Sequence, residues 1–226
     1  VHDASDVPVR RLILIPALIT LAVTLLRLIG ELQHWSPTLF SRQAGGAGAL
    51  VGIVWLVFAF GFWFALKLRA LGYAPPGAGR VMGWGALGFA AAAALMFVAG
   101  ALGAPFVLQL TVGAVASVVA VAVAWRGWPA LARVLLAYGL AARIPVAVVM
   151  LLAMLGDWGT HYDAPAPGMP PMGTLTKWLV IGLLPQLTLW IAFTVTVGMI
   201  FGGLALAVTR RRGSAAPVPG TLGRAS

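Results

Sequence analysis

Glu31, His34, Asp157, His161 and Asp163 are oxygen and nitrogen donors of the kind that hold a divalent cation or pass a proton. Three of them fall in GDWGTHYD, residues 156–163, although only 9% of the chain is charged. Carboxylates and neutral imidazoles suit zinc, manganese or iron, and a catalytic centre needs about three of them with one position open. The spacing selects no metal. Asp157 and His161 would share a face on a helix, but Gly156 and Gly159 favour a turn, and no HExxH pattern occurs. Three readings stay open: an outer-face divalent-metal or acid–base site, a solute or ion entrance, and a helix end whose Trp158 and Tyr162 lie at an interface. In the last, APAPGMPPMG would be an extended cap over the mouth of a bundle. No other cofactor is expected.

Two arginines lie inside apolar runs. Arg27 and Glu31 are one turn apart on one helical face, where pairing and snorkelling would keep the guanidinium out of bare hydrocarbon. The other reading offers Arg27 to an anion in a cavity. Arg143 lies 13 residues beyond Ala130, roughly 20 Å along a helix and so near mid-bilayer. Even a lenient scale sets the cost of a central arginine at about 2.5–3.5 kcal/mol. Either PALARVLLAYGLAARIP enters obliquely along the inner interface and bends at Gly139 or Pro145, or Arg143 faces a wet interior and Pro145 frees the Ala141 carbonyl. Asp157 is too far along the same helix to pair with Arg143. Backbone carbonyls, Thr194, Thr196, a lipid phosphate or a second subunit are the remaining partners.

The elements that must position these groups follow from composition. The 226 residues are 61% hydrophobic with a mean hydropathy of +0.99, against roughly 45–50% apolar in soluble domains. The chain therefore reads as an integral membrane protein, an all-α polytopic bundle of six transmembrane helices at residues 12–29, 47–66, 81–102, 105–125, 130–155 and 178–208. The last run is longer than one crossing needs, and Pro185 is the natural point for a kink. Residues 1–10 form a short tail, residues 11–209 one transmembrane domain with an outer loop at 156–177, and residues 210–226 a basic, flexible cytoplasmic tail.

Charge sets the orientation. With the amino terminus inside, the inner segments carry Arg10, Arg11, Lys67, Arg69, Arg80, Arg126, Arg133, Arg210, Arg211, Arg212 and Arg224, and the outer ones only Arg42 and Lys177. Both termini are then cytoplasmic, and Glu31, His34, Asp157, His161 and Asp163 gather on the outer side. Trp63, Trp84, Trp125 and Trp128 fall near the inner interface, Trp35, Trp158 and Trp178 near the outer one, and Trp55 and Trp190 deeper, as packing or lipid-facing residues. The first apolar run lacks a cleavage site after it and reads as a retained helix. A first residue of Val reads as an alternative start codon translated literally, which points to a bacterial gene product and to the bacterial cytoplasmic (inner) membrane.

Zero cysteines exclude disulfides, thiolate metal sites and thiol nucleophiles. The net charge of +10 belongs to topology, because no basic domain outside the apolar runs is large enough to read a nucleic acid. Gly48 with Gly52 and Gly198 with Gly202 have the spacing for close helix packing, within the chain or as a homodimer face. No phosphate loop, dinucleotide fingerprint or nucleophile elbow occurs. The function expected is noncatalytic: a structural or assembly partner of another membrane protein, or a small-solute transporter or channel. The alternative is a membrane enzyme with an outer-face metal or acid–base site.

Overall fold

The computed structural model describes residues 3–46, 49–165 and 169–214, with side chains through residue 209. Among the described residues the chain is all helical. The long helices are α1 (Val9–Leu32), α2 (Val54–Ala70), α3 (Ala78–Ala101), α4 (Phe106–Trp125) and α5 (Pro129–Gly156). The last apolar stretch is interrupted: α6 (Thr174–Lys177), a π-helical turn (Trp178–Leu183), α7 (Leu184–Leu187) and α8 (Leu189–Ser214).

α1, α3, α4, α5 and the interrupted Thr174–Thr209 are long and apolar enough to cross a membrane. α2, with 17 residues, would be roughly 26 Å long, slightly under a hydrocarbon core of about 30 Å. Large apolar side chains such as Phe97, Leu102, Val107 and Val118 point away from the protein. In a helical membrane bundle that surface meets lipid tails.

α8 is the axis. α2, α3, α4 and α5 all pack on it, and α1 packs on α5. Small residues make the approach possible: a Cβ on Gly61 of α2 would lie 2.6 Å from the Gly198 carbonyl oxygen, and one on Gly202 would meet Leu131 and Gly61. Gly198 and Gly202 are thus buried inside the bundle, which leaves them no face for a second copy. Gly48 lies outside the described residues.

Helix two begins at Val54, not residue 47. The preceding AGG (residues 44–46) is a tight 3-10 turn with Gly45 at φ 70° and Gly46 at φ 72°, a left-handed conformation that glycine adopts without a Cβ clash. Gly52 precedes α2, so its spacing to Gly48 has no helical meaning. In the last stretch, Pro185 lies just after the π turn, and the chain breaks again at Thr188 (φ -114°, ψ -79°). A proline cannot donate to the fourth preceding carbonyl, so a wider turn before it and a break after it are its natural cost.

The described part of the amino-terminal segment packs against the bundle. Val7 is buried, and Arg133 Nη1 donates to the carbonyls of Ala4 and Ser5 at 3.0 Å each. The basic tail read at 210–226 falls outside the described side chains, and from residue 215 outside the described residues altogether.

Candidate functional site

α1 is tied to its neighbour through a threonine. Pro16 removes one backbone donor, and Thr20 Oγ1 donates to the Pro16 carbonyl at 2.8 Å. With its only proton committed there, Thr20 accepts from the Tyr138 hydroxyl, also at 2.8 Å. This bond joins α1 to α5 deeper in the bundle than Glu31.

Glu31 is 1% exposed, and both of its oxygens are used. Oε1 accepts from Arg27 Nε at 2.8 Å and meets His161 Nδ1 at 2.5 Å, and Oε2 accepts from the His161 backbone N–H at 2.8 Å. Arg27 Nη2 donates to the carbonyls of Ser41 and Gly46 at 3.2 Å each. A Cβ at Gly46 would lie 2.9 Å from Arg27 Nη2, so only glycine lets this turn close on the guanidinium. One ion pair therefore fastens α1, the 41–46 loop and the 159–163 turn together.

That turn has its own keystone. Asp163 accepts from the backbone N–H of Gly159 at 2.9 Å, and from the N–H and Oγ1 of Thr160 at 2.7 and 2.6 Å. It is a turn-forming carboxylate, as short acidic side chains often are. Tyr162 is buried beside His161, with ring centroids 3.9 Å apart, and its hydroxyl donates to the Thr24 carbonyl at 3.3 Å. Burial pushes the Tyr162 phenol well up from its ordinary value. Burial pulls the His161 imidazole down, against the Glu31 bond that raises it and with the nearby Arg27 charge. His161 is accordingly neutral at pH 7, with Nδ1–H on Glu31 and the Nε2 lone pair free of any bond among the described residues.

Arg143 lies in the middle of a continuous α5 and is 4% exposed. α5 runs unbroken through Gly139 and Pro145, and Arg143 faces the interior of the bundle. The guanidinium stacks over Trp190, with Cζ 4.4 Å from the ring centroid, and Nη1 reaches Gln186 Oε1 at 3.4 Å. Gln186 Nε2 in turn approaches Met150 Sδ at 3.7 Å. Thr194 and Thr196 instead cap carbonyls of their own helix. Trp190 is half-buried and carries the Arg143 guanidinium on its ring as well as an edge contact to Phe193.

These groups line one cavity of about 240 Å³. Arg143, Gln186 and Trp190 face it from the helices, Arg27, His161 and Tyr162 from the loop end, and Val146, Met150 and Ile181 form apolar wall. Of the seven side chains singled out in the sequence, the structure brings Arg27, Glu31 and His161 into contact and sets Arg143 on the same cavity. Asp163 supports the turn from behind. Asp157 is exposed and ends α5 in a left-handed conformation, φ 46°, and His34 is exposed just after α1 at φ 53°. Among the described residues no three His, Asp or Glu side chains gather as a metal ligand set.

Gln186 and the Gly45–Gly46 turn are absent from the sequence-based expectations, and Trp190 figures there only as a packing or lipid-facing residue. A signal existed for Gln186 and Trp190: a glutamine in an apolar run with a tryptophan four residues later, on one helical face. No protein-family model matches the chain, and neither does any curated protein or solved structure.

Proposed function

We propose that this chain is a six-crossing, noncatalytic protein of the bacterial cytoplasmic membrane, with both termini in the cytoplasm, that admits a small polar solute into a cavity open toward the outer face. The observation that carries this reading is the convergence of Arg27, Arg143, His161, Gln186 and Trp190 on one cavity. An arginine buried among transmembrane helices is costly unless it faces protein or water, and such residues mark solute and ion paths. The eleven-to-two distribution of Lys and Arg supports the orientation.

The native chain has no cysteine, so a single introduced thiol reports water access without background. In the Ile181→Cys and Arg143→Cys proteins, a membrane-impermeant thiol reagent should react from the outer side. Protection of both thiols in folded protein would remove the solute-site reading.

A second reading rests on one further observation. Glu31 holds His161 by Nδ1 and leaves Nε2, unbonded among the described residues, beside Tyr162 and the cavity, the arrangement by which a carboxylate orients a general base or a metal-binding imidazole. An outer-face acid–base or divalent-metal enzyme would use this pair. Metal analysis of wild type beside a His34→Ala/His161→Ala double variant separates the readings: stoichiometric metal lost in the variant would favour the enzyme.

A further inference from the structure

We infer that the cavity is a binding site for a small amphipathic monocarboxylate, whose carboxylate pairs with Arg143 and whose apolar body lies against Val146, Met150 and Ile181. The inference rests on the solute-site reading above and names its ligand class.

Charge comes first. Two guanidiniums face the cavity, but Arg27 is matched by Glu31 at 2.8 Å, and its remaining bonds run to the Ser41 and Gly46 carbonyls. Arg143 has no carboxylate partner among the described residues. Its polar contact is Gln186 Oε1 at a long 3.4 Å, although a guanidinium carries five donors in a planar fork. Trp190 holds that plane from one side and leaves the fork's edge as the place for two parallel bonds to an oxyanion. The cavity thus has one uncompensated positive charge, enough for a monoanion and too little for a multiply charged one.

Size and lining come next. A cavity of about 150 Å³ accommodates benzene, and this one is about 240 Å³. The difference leaves room for a carboxylate on a ring or a short alkyl chain. Val23, Ile53 and Val54 add to the apolar wall, which inorganic phosphate alone would leave wet. Gln186 Nε2, now spent on a weak sulfur acceptor, can turn to the second carboxylate oxygen.

The test uses the full chain in a neutral maltoside detergent, with benzoate, benzyl alcohol and inorganic phosphate as probes. Benzoate should slow thiol modification of the Ile181→Cys protein and raise the unfolding temperature of wild type. Benzyl alcohol and phosphate should each need concentrations about tenfold higher or more, the scale of a charge-assisted hydrogen-bond pair. Arg143→Gln should lose benzoate binding by a similar factor, and Arg143→Lys, which keeps the charge but not the fork, should fall between. Equal protection by benzyl alcohol would overturn the anion assignment, and equal protection by phosphate would overturn the apolar half. If the thiol of the Ile181→Cys protein reacts readily but none of the three probes protects it, the inference ends and the solute-site reading stands. If that thiol does not react while the one in the Arg143→Cys protein does, the inference ends alone; if neither reacts, both end. Because the protection assay keeps Arg143 in place, its outcome does not depend on the folding of the arginine variants.

Discussion

Glu31 is the residue on which the mouth of the cavity depends. Its one negative charge answers a guanidinium that is 9% exposed, and its second oxygen anchors the backbone of the 159–163 turn. Removing one partner of a buried pair leaves the other uncompensated, at a cost on the order of 3–5 kcal/mol. Glu31→Gln should therefore lower the unfolding temperature sharply in detergent, while Asp157→Asn, at an exposed helix end, should leave it within the scatter of surface substitutions. Near-equal effects would show that the Glu31 contacts do not hold the mouth. His161 adds a pH dependence of fixed sign. Its folded pKa lies below the ordinary 6.5, so the unfolded chain takes up a proton first. The stability this group contributes is whole above about 6.5 and drains away as pH falls through the lowered value. His161→Gln should flatten that acid limb, and an unchanged limb in the variant would show that another group governs it.

At the scale of elements, α2 meets α8 backbone to backbone. Gly61→Ala would drive a methyl to within 2.6 Å of a backbone oxygen, and backbone cannot yield as a side chain can. Overpacking of this kind costs about 1–3 kcal/mol, to be read as a loss of thermal stability in detergent. Gly79→Ala, where a Cβ meets nothing within 4 Å, is the matched control. The same scale shows how legible the fold was. α3, α4 and α5 appear within a few residues of the positions that hydropathy indicates, because each is an unbroken apolar run bounded by Gly, Pro or Arg. α2 does not, because the sequence before Val54 is apolar enough to look helical, yet Gly46 and Gly52 lie against the Arg27 guanidinium outside any α-helix. The π turn at Trp178–Leu183 left no mark beyond Pro185, since a one-residue widening alters register without altering composition. Arg143, Arg27, Glu31 and His161 stood out as charges in apolar surroundings. Gln186 and Trp190 did not, being ordinary residues whose importance comes from the guanidinium they face.

For the whole molecule, the proposed orientation makes a sharp demand on its loops. A cysteine introduced in place of Ser36, after α1, should react with an impermeant reagent in intact cells, whereas one in place of Ala74, between α2 and α3, should react only after the membrane is opened. The reverse pattern would invert the bundle and place the cavity on the cytoplasmic side. The central position of α8 also bears on how the protein is made. Four helices emerge from the ribosome before the element against which all of them pack, so until Leu189–Ser214 arrives α3 and α4 can pair with each other and α1 with α5, but α2 lacks its main partner. Completion of the bundle is then a late event, and a chain cut short before α8 should be cleared by quality-control proteases instead of accumulating as a smaller bundle.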